Sequence, residues 1–217
     1  MQIKPGAAAL FFLACLSPSG QAAEIFDELR ACELSGPSGL SISARCGTLS
    51  VPEDRDGEDS RSLGIAFAVV PARSSSPATD PVFFLAGGPG QSAIDVAPMI
   101  GLAPRDVNRD RHLIFLEQRG TGSSHPLDCS PDDLDDMIEM DFERINAAVR
   151  DCLAEWDVDV RYFTSIDYAQ DIEAFRARYG FDTINLIGGS YGTRMAQVYL
   201  RLFPERVRSV VLDAVVP

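Results

Sequence analysis

Five residues, Gly188-Gly189-Ser190-Tyr191-Gly192, carry the strongest chemical signal in the sequence. A serine in a G-x-S-x-G string is the pattern of a nucleophile set on a sharp turn. Side chains beside it would collide there, so glycines flank the serine and its hydroxyl stands clear. The string alone is weak, because a glycine-rich turn with a capping serine reads the same way. Its setting carries the argument. Thr183-Ile-Asn-Leu-Ile-Gly before it is a short apolar run of buried-strand type, and the spacing after it predicts a helix over about 191–203. Free backbone N–H groups at that helix start favour developing negative charge.

A second signal is Gly87-Gly88-Pro89-Gly90, directly after the apolar run Pro81-Val-Phe-Phe-Leu-Ala. Attack on a carbonyl produces a tetrahedral oxyanion that needs two preorganised donors. In this architecture one is the N–H of the residue after the nucleophile, here Tyr191. The other comes from the loop after an earlier strand, here Gly88. Read alone, Gly-Gly-Pro-Gly is a tight turn; in this order, after these strands, it and the serine turn support one reading.

The elements that must position these residues are legible as apolar runs. Residues 46–52 and 63–71 flank EDRDGEDSR, a charged Asp-Gly turn, and predict an antiparallel hairpin. His112-Leu-Ile-Phe-Leu-Glu predicts a buried strand ending in Gln118-Arg119-Gly120. Leu134, Met137, Ile138, Ile145, Val149, Cys152 and Trp156 recur at helical spacing, behind an acidic start at Asp132, Asp133, Asp135 and Asp136. A second helix is predicted at about 166–179, burying Tyr168, Ile172, Phe175 and Tyr179 and ending at Gly180. Ser209-Val-Val-Leu-Asp is a further strand. The predicted order is hairpin, β, β, α, α, β, α, β. It implies an α/β fold, a mostly parallel sheet with helices on both faces, truncated after the strand that follows the nucleophile helix.

Composition narrows the function classes. The chain has 217 residues, 19 basic and 32 acidic, for a formal charge of −13. That balance argues against nucleic acid and anionic lipid as partners, both of which need clustered Lys and Arg. Residues 1–23 read as a signal peptide: Lys4, an apolar run from Ala7 to Leu16, then small residues up to Ala22. The run is shorter than the ~20 residues that span a bilayer. A secreted or periplasmic protein is the expectation, with membrane attachment only through lipidation at Cys15. Export leaves Cys32, Cys46, Cys129 and Cys152, which allow three disulfide connectivities. Sequence-local pairing, Cys32 with Cys46 and Cys129 with Cys152, is the one expected; four buried thiols are the alternative. No metal or cofactor is expected. No CxxC pair exists, His is nearly absent, and the glycine turns lack the pattern of a nucleotide site.

LAGGPGQS, LEQRGTGSS, INLIGGSYGT and the closing VRSVVLDAVVP together resemble the prolyl and tripeptidyl aminopeptidase branch of the α/β-hydrolases. RCGTLSVPEDR and the two local cysteine pairs resemble its secreted bacterial members. The resemblance runs from roughly Cys32 to Pro217, making residues 24–217 the N-terminal part of one hydrolase domain. It implies Ser190 as nucleophile and Gly88 and Tyr191 as oxyanion donors. Gly87, Pro89, Gly90, Gly188 and Gly192 would shape the turns, and Gln118, Arg119 and Gly120 would support the site's floor. It also implies a peptide substrate that loses N-terminal residues or short peptides. Two positions depart from the family pattern: Ala86 where His is usual before Gly-Gly-Pro-Gly, and Glu117 where Asp is usual before Gln-Arg-Gly.

The Asp or Glu and the His that complete such a triad follow the serine in chain order. After Ser190 there are 27 residues and no histidine. Asp213 comes too early for the acid and reads as a strand-end residue. His112 begins a strand at the wrong end, whereas His125 lies on the correct edge of the sheet as an unorthodox base. The expectation is the nucleophile-bearing part of a longer enzyme, inactive alone. An esterase or lipase of the same fold, and a non-catalytic truncated remnant, are the alternatives.

Overall fold

The computed structural model of the protein describes residues 25–36, 39–102, 105–127 and 141–217. The expected leader, Cys15, Cys129 and the acidic run at 132–136 lie outside those residues.

Seven strands form one sheet: β1 (Arg30–Ser35), β2 (Ser41–Pro52), β3 (Ser62–Val70), β4 (Val82–Leu85), β5 (Leu113–Leu116), β6 (Ile184–Gly189) and β7 (Val207–Asp213). Their order across the sheet is β1-β2-β3-β5-β4-β6-β7. The first three strands and the β3–β5 pairing are antiparallel, with Pro52 opposite Ser62 at the turn end of the expected hairpin. From β5 onward the sheet is parallel. β4, β5 and β6 are short and almost wholly apolar because both faces are covered.

The chain visits β4, crosses to β5 on one side, and returns past β4 to β6 on the other. The connections after β4 and β6 therefore diverge at their C-terminal ends, opening a crevice there. The glycine turn at 87–90 and Ser190 both lie at that point.

Helices cover both faces. Against one lie α4 (Ser165–Arg178) and α5 (Tyr191–Leu202), burying Tyr168, Ile172, Phe175, Met195 and Tyr199 on Phe67, Phe83, Ile114 and Leu186. Phe175 stands edge-on to Phe67 with centroids 4.9 Å apart and to Phe83 at 5.4 Å, a favoured aromatic geometry. A capping box at Thr164 and Asp167 starts α4. On the other face α1 (Ala93–Leu102) sets the small residues Ala93 and Ala97 against Ala68, Val82 and Phe115. α2 (Arg105–Asp110) follows it.

The sequence reading had no helix between β4 and β5, yet parallel neighbours need a crossover. Pro98 inside α1 and the polar composition of α2 hide both helices from a periodicity argument. β1 was also missed, since its strand is polar and mostly exposed, with only Leu34 buried. Only the second half of the expected 134–156 helix falls on described residues, as α3 (Phe142–Glu155). Its residues are exposed or half-buried, and Val149 is 43% exposed.

Cys32 and Cys46 are bonded, joining β1 to β2 diagonally, because Cys46 faces Arg30 and Cys32 faces Ala44. Cys152 is also in a disulfide. On β7, Val211 and Leu212 are 56% and 36% exposed. Among the described residues no helix is long and apolar enough to cross a membrane.

Candidate active site

Ser190 follows the last residue of β6 and precedes the first of α5. Its backbone angles are φ 50° and ψ −120°, a conformation that costs a non-glycine residue about 1–3 kcal/mol. The side chain is exposed and makes no capping hydrogen bond to the helix it opens. A capping serine would spend its hydroxyl on the N2 or N3 amide. Here that hydroxyl is left to solvent.

The strain is held by the backbone. The Ser190 N–H donates to the Asp213 carbonyl at 2.9 Å, tying the turn to the end of β7. Thr193, fully buried, holds the Ser190 carbonyl with its N–H at 2.9 Å and its hydroxyl at 2.6 Å. That hydroxyl also accepts the Val216 N–H. Asp213 thus acts at this turn through its carbonyl. Thr193 was not singled out from sequence, although a Thr three residues past a strained Ser is the spacing of a turn brace.

The flanking glycines are required by contact. A Cβ on Gly192 would lie 2.0 Å from the Leu85 carbonyl oxygen, and one on Gly188 would lie 2.5 Å from that of Gly192. No real carbon approaches a backbone oxygen so closely, so the start of α5 rests directly on the end of β4. Gly87 is brought to Ser190: a Cβ there would stand 3.3 Å from the Cβ of Ser190. Gly88 and Gly90 have φ of 105° and 96°, angles that favour glycine, on either side of Pro89. Gly87 N–H donates to the Gln91 side-chain oxygen at 3.0 Å, bracing the turn across itself. Tyr191 is the first residue of α5, where N–H groups have no acceptor within the helix. Its phenol meets the Ser165 hydroxyl at 3.3 Å, linking the Ser190 turn to the start of α4.

The Gln118-Arg119-Gly120 segment turns the other way. Arg119 is 3% exposed and spends its guanidinium on Asp171 (2.7 and 2.9 Å) and on the carbonyls of Pro52, Glu53 and Tyr162. It thereby ties the turn end of the β2–β3 hairpin to α4. Gly120 has φ 84° beside Leu127, and the Gln118 carbonyl accepts both the N–H and the hydroxyl of Thr121.

Neither histidine reaches Ser190. His112 precedes β5 at the opposite end of the sheet, 4% exposed, with its Nδ1 accepting the Ala72 N–H and its ring edge-on to Phe26. His125 is exposed at φ 56° and lines a cleft of about 370 Å³ with Arg61, Leu63, Trp156 and Asp157. Ser190 is not among the residues lining that cleft. Among the described residues no group of three His, Cys, Asp or Glu is placed to hold a metal ion.

Comparison with known proteins fits this arrangement. The chain is 29% identical to the serine protease Hip1 of Mycobacterium tuberculosis strain H37Rv, over 97% of this chain and 45% of that protein. It is 30% identical to a proline iminopeptidase of Neisseria gonorrhoeae over 65% of this chain and 34% of that one. The tripeptidyl aminopeptidase of Streptomyces lividans is 25% identical over 79% of this chain and 35% of its own length. The chain thus spans less than half of each relative. The alpha/beta hydrolase fold family matches residues 80–217, the stretch that contains both glycine turns and the strands that carry them, and the chain belongs to that family.

Proposed function

We propose that this chain supplies the nucleophile and oxyanion-binding groups of a serine peptidase that removes N-terminal residues or short peptides. Ser190 Oγ attacks the scissile carbonyl and its proton passes to a general base. The C–N bond breaks, the amine leaves with a proton, and water then hydrolyses the acyl ester on Ser190. The Gly88 and Tyr191 N–H groups bind the oxyanion. Neither His112 nor His125 sits at Ser190, and the relatives, of which this chain spans less than half, have room beyond the matched part for a histidine and a carboxylate. The apolar run at 7–16 and the Cys32–Cys46 disulfide support a secreted or periplasmic setting, where disulfides persist.

One observation carries the reading: an exposed serine held at φ 50° with its hydroxyl unused by its own helix. Relatives named as peptidases point to peptide bonds as the substrate class. The test is a fluorophosphonate probe on the intact native protein, which reports only an activated serine. Labelling is expected, and Ser190→Ala is expected to abolish it, together with release of p-nitroaniline from aminoacyl and tripeptidyl anilides. Turnover of short-chain esters without anilides would move the reading to an esterase, and no labelling would leave a non-catalytic remnant.

A further inference from the structure

Glu117, the residue after β5 on the active-site edge of the sheet, is 1% exposed. A buried carboxylate normally sits against a cation. Among the described residues no Lys, Arg or His lies within ion-pair distance of this one. It accepts four hydrogen bonds from neutral groups instead: the Ser92 hydroxyl at 2.6 Å, the Thr121 hydroxyl at 2.8 Å, and the Ala93 and Ile94 N–H groups at 3.1 and 3.2 Å. The last two open α1, so the helix dipole and the charge favour one another. Ser92 in turn accepts the Asp95 N–H at 3.0 Å.

The Gly87–Gln91 turn has two anchors. At one end β4 pairs with β6, Leu85 opposite Gly188. At the other, Ser92 and the first turn of α1 are gripped by Glu117. Between them Gly88 and Gly90 are free of side chains, so the direction of the Gly88 N–H depends on how firmly both ends are held. The extra methylene of Glu lets one carboxylate reach both the α1 terminus and Thr121. Gly122 leaves room for it, since a Cβ there would lie 2.5 Å from Glu117 Oε1.

We infer that Glu117 is a positioning residue for oxyanion binding: its carboxylate clamps the start of α1 and so fixes the Gly87–Gln91 turn against Ser190. The inference rests on the serine-hydrolase reading. In Glu117→Gln the amide offers one acceptor oxygen and turns its N–H₂ toward a backbone N–H of α1, which can only donate. On the intact native protein, kcat for an aminoacyl anilide is expected to fall about 10- to 100-fold with KM nearly unchanged. That is less than the roughly 10²–10³ lost with an oxyanion donor itself. A peptide aldehyde, which forms an oxyanion on Ser190, should weaken by the same factor, whereas binding of the free amino-acid product should not change. Glu117→Asp, which keeps the charge but not the reach, should recover only part of the loss. If Glu117→Gln does not fold, Ser92→Ala and Thr121→Val each remove one of the four bonds to Glu117 and should lower kcat about threefold in the same pattern. Folded variants with wild-type kcat, or with a change in KM alone, overturn the inference while wild-type labelling stands. A wild type that takes no fluorophosphonate label overturns both readings.

Discussion

Two of the buried carboxylates on the active-site side of this sheet, Asp171 and Glu117, are satisfied in opposite ways. Asp171 on α4 is fully buried against cations: Arg119 grips it with two N–H groups at 2.7 and 2.9 Å, and Arg55 donates a third. Glu117 is as deeply buried and meets only hydroxyls and backbone amides. The Asp171 cluster joins elements distant in sequence, the hairpin end at 52–55 and α4. The Glu117 cluster joins the start of α1, at residues 92–94, to Thr121. A charge pair serves as a staple between large elements; a ring of neutral donors serves as a cradle that sets the course of a loop.

The comparison breaks most visibly at Arg119. Arg119→Met leaves the Asp171 charge buried with only Arg55 beside it and frees three carbonyls that Arg119 now satisfies. Removing one partner of a buried pair costs about 3–5 kcal/mol. Urea unfolding should show a loss of that size, and pairing the change with Asp171→Leu should restore a large part of it. Wild-type stability in Arg119→Met would mean that this staple is redundant.

Glu117→Gln should cost less, about 1–3 kcal/mol. No opposing charge is stranded; one or two neutral donors lose an acceptor. Thermal melts of the two variants side by side test the contrast. A melting temperature for Glu117→Gln below that of Arg119→Met would reverse it.

This contrast also marks what the sequence could tell. Ser190, its glycines and the turn at 87–90 are local signals, each a short string after an apolar strand, and their joint placement follows from alternation of strand and helix. The hairpin and α4 were legible for the same reason. Glu117 and Arg119 were not, because their partners stand far away in sequence: Ser92 is 25 residues from Glu117 and Asp171 is 52 from Arg119. From the string LEQRG, Glu117 read as a departure from a family pattern and Arg119 as support for the site. The crossover helices α1 and α2 escaped notice because α1 buries mainly alanines and contains Pro98, so no apolar stripe announces it. That gap also hid the one element Glu117 could cap.

The smallest expected effect comes from a third carboxylate, at the opposite end of the sheet. Asp80 precedes β4, is 13% exposed, and takes Arg111 at 3.0 Å, Arg208 at 2.5 Å and the Asn185 amide at 2.9 Å. Burial raises its pKa, but the bonds from Arg111, Asn185 and Arg208 outweigh that and hold the carboxyl below the usual aspartate value. A carboxylate with a lowered folded pKa stabilises the fold above its unfolded value, near 3.9, and that stability is lost as pH falls through the folded pKa. Two of its partners are partly open to solvent, so the contribution at neutral pH is about 1 kcal/mol. Asp80→Asn should therefore be less stable than wild type in urea at pH 6. The gap between the two proteins should begin to close below about pH 4 and disappear once Asp80 is protonated. A gap that stayed constant from pH 6 into the acid range would mean that Asn cannot take the place of Asp80 for reasons of shape. The ion pairs at that end of the sheet would then contribute nothing of their own.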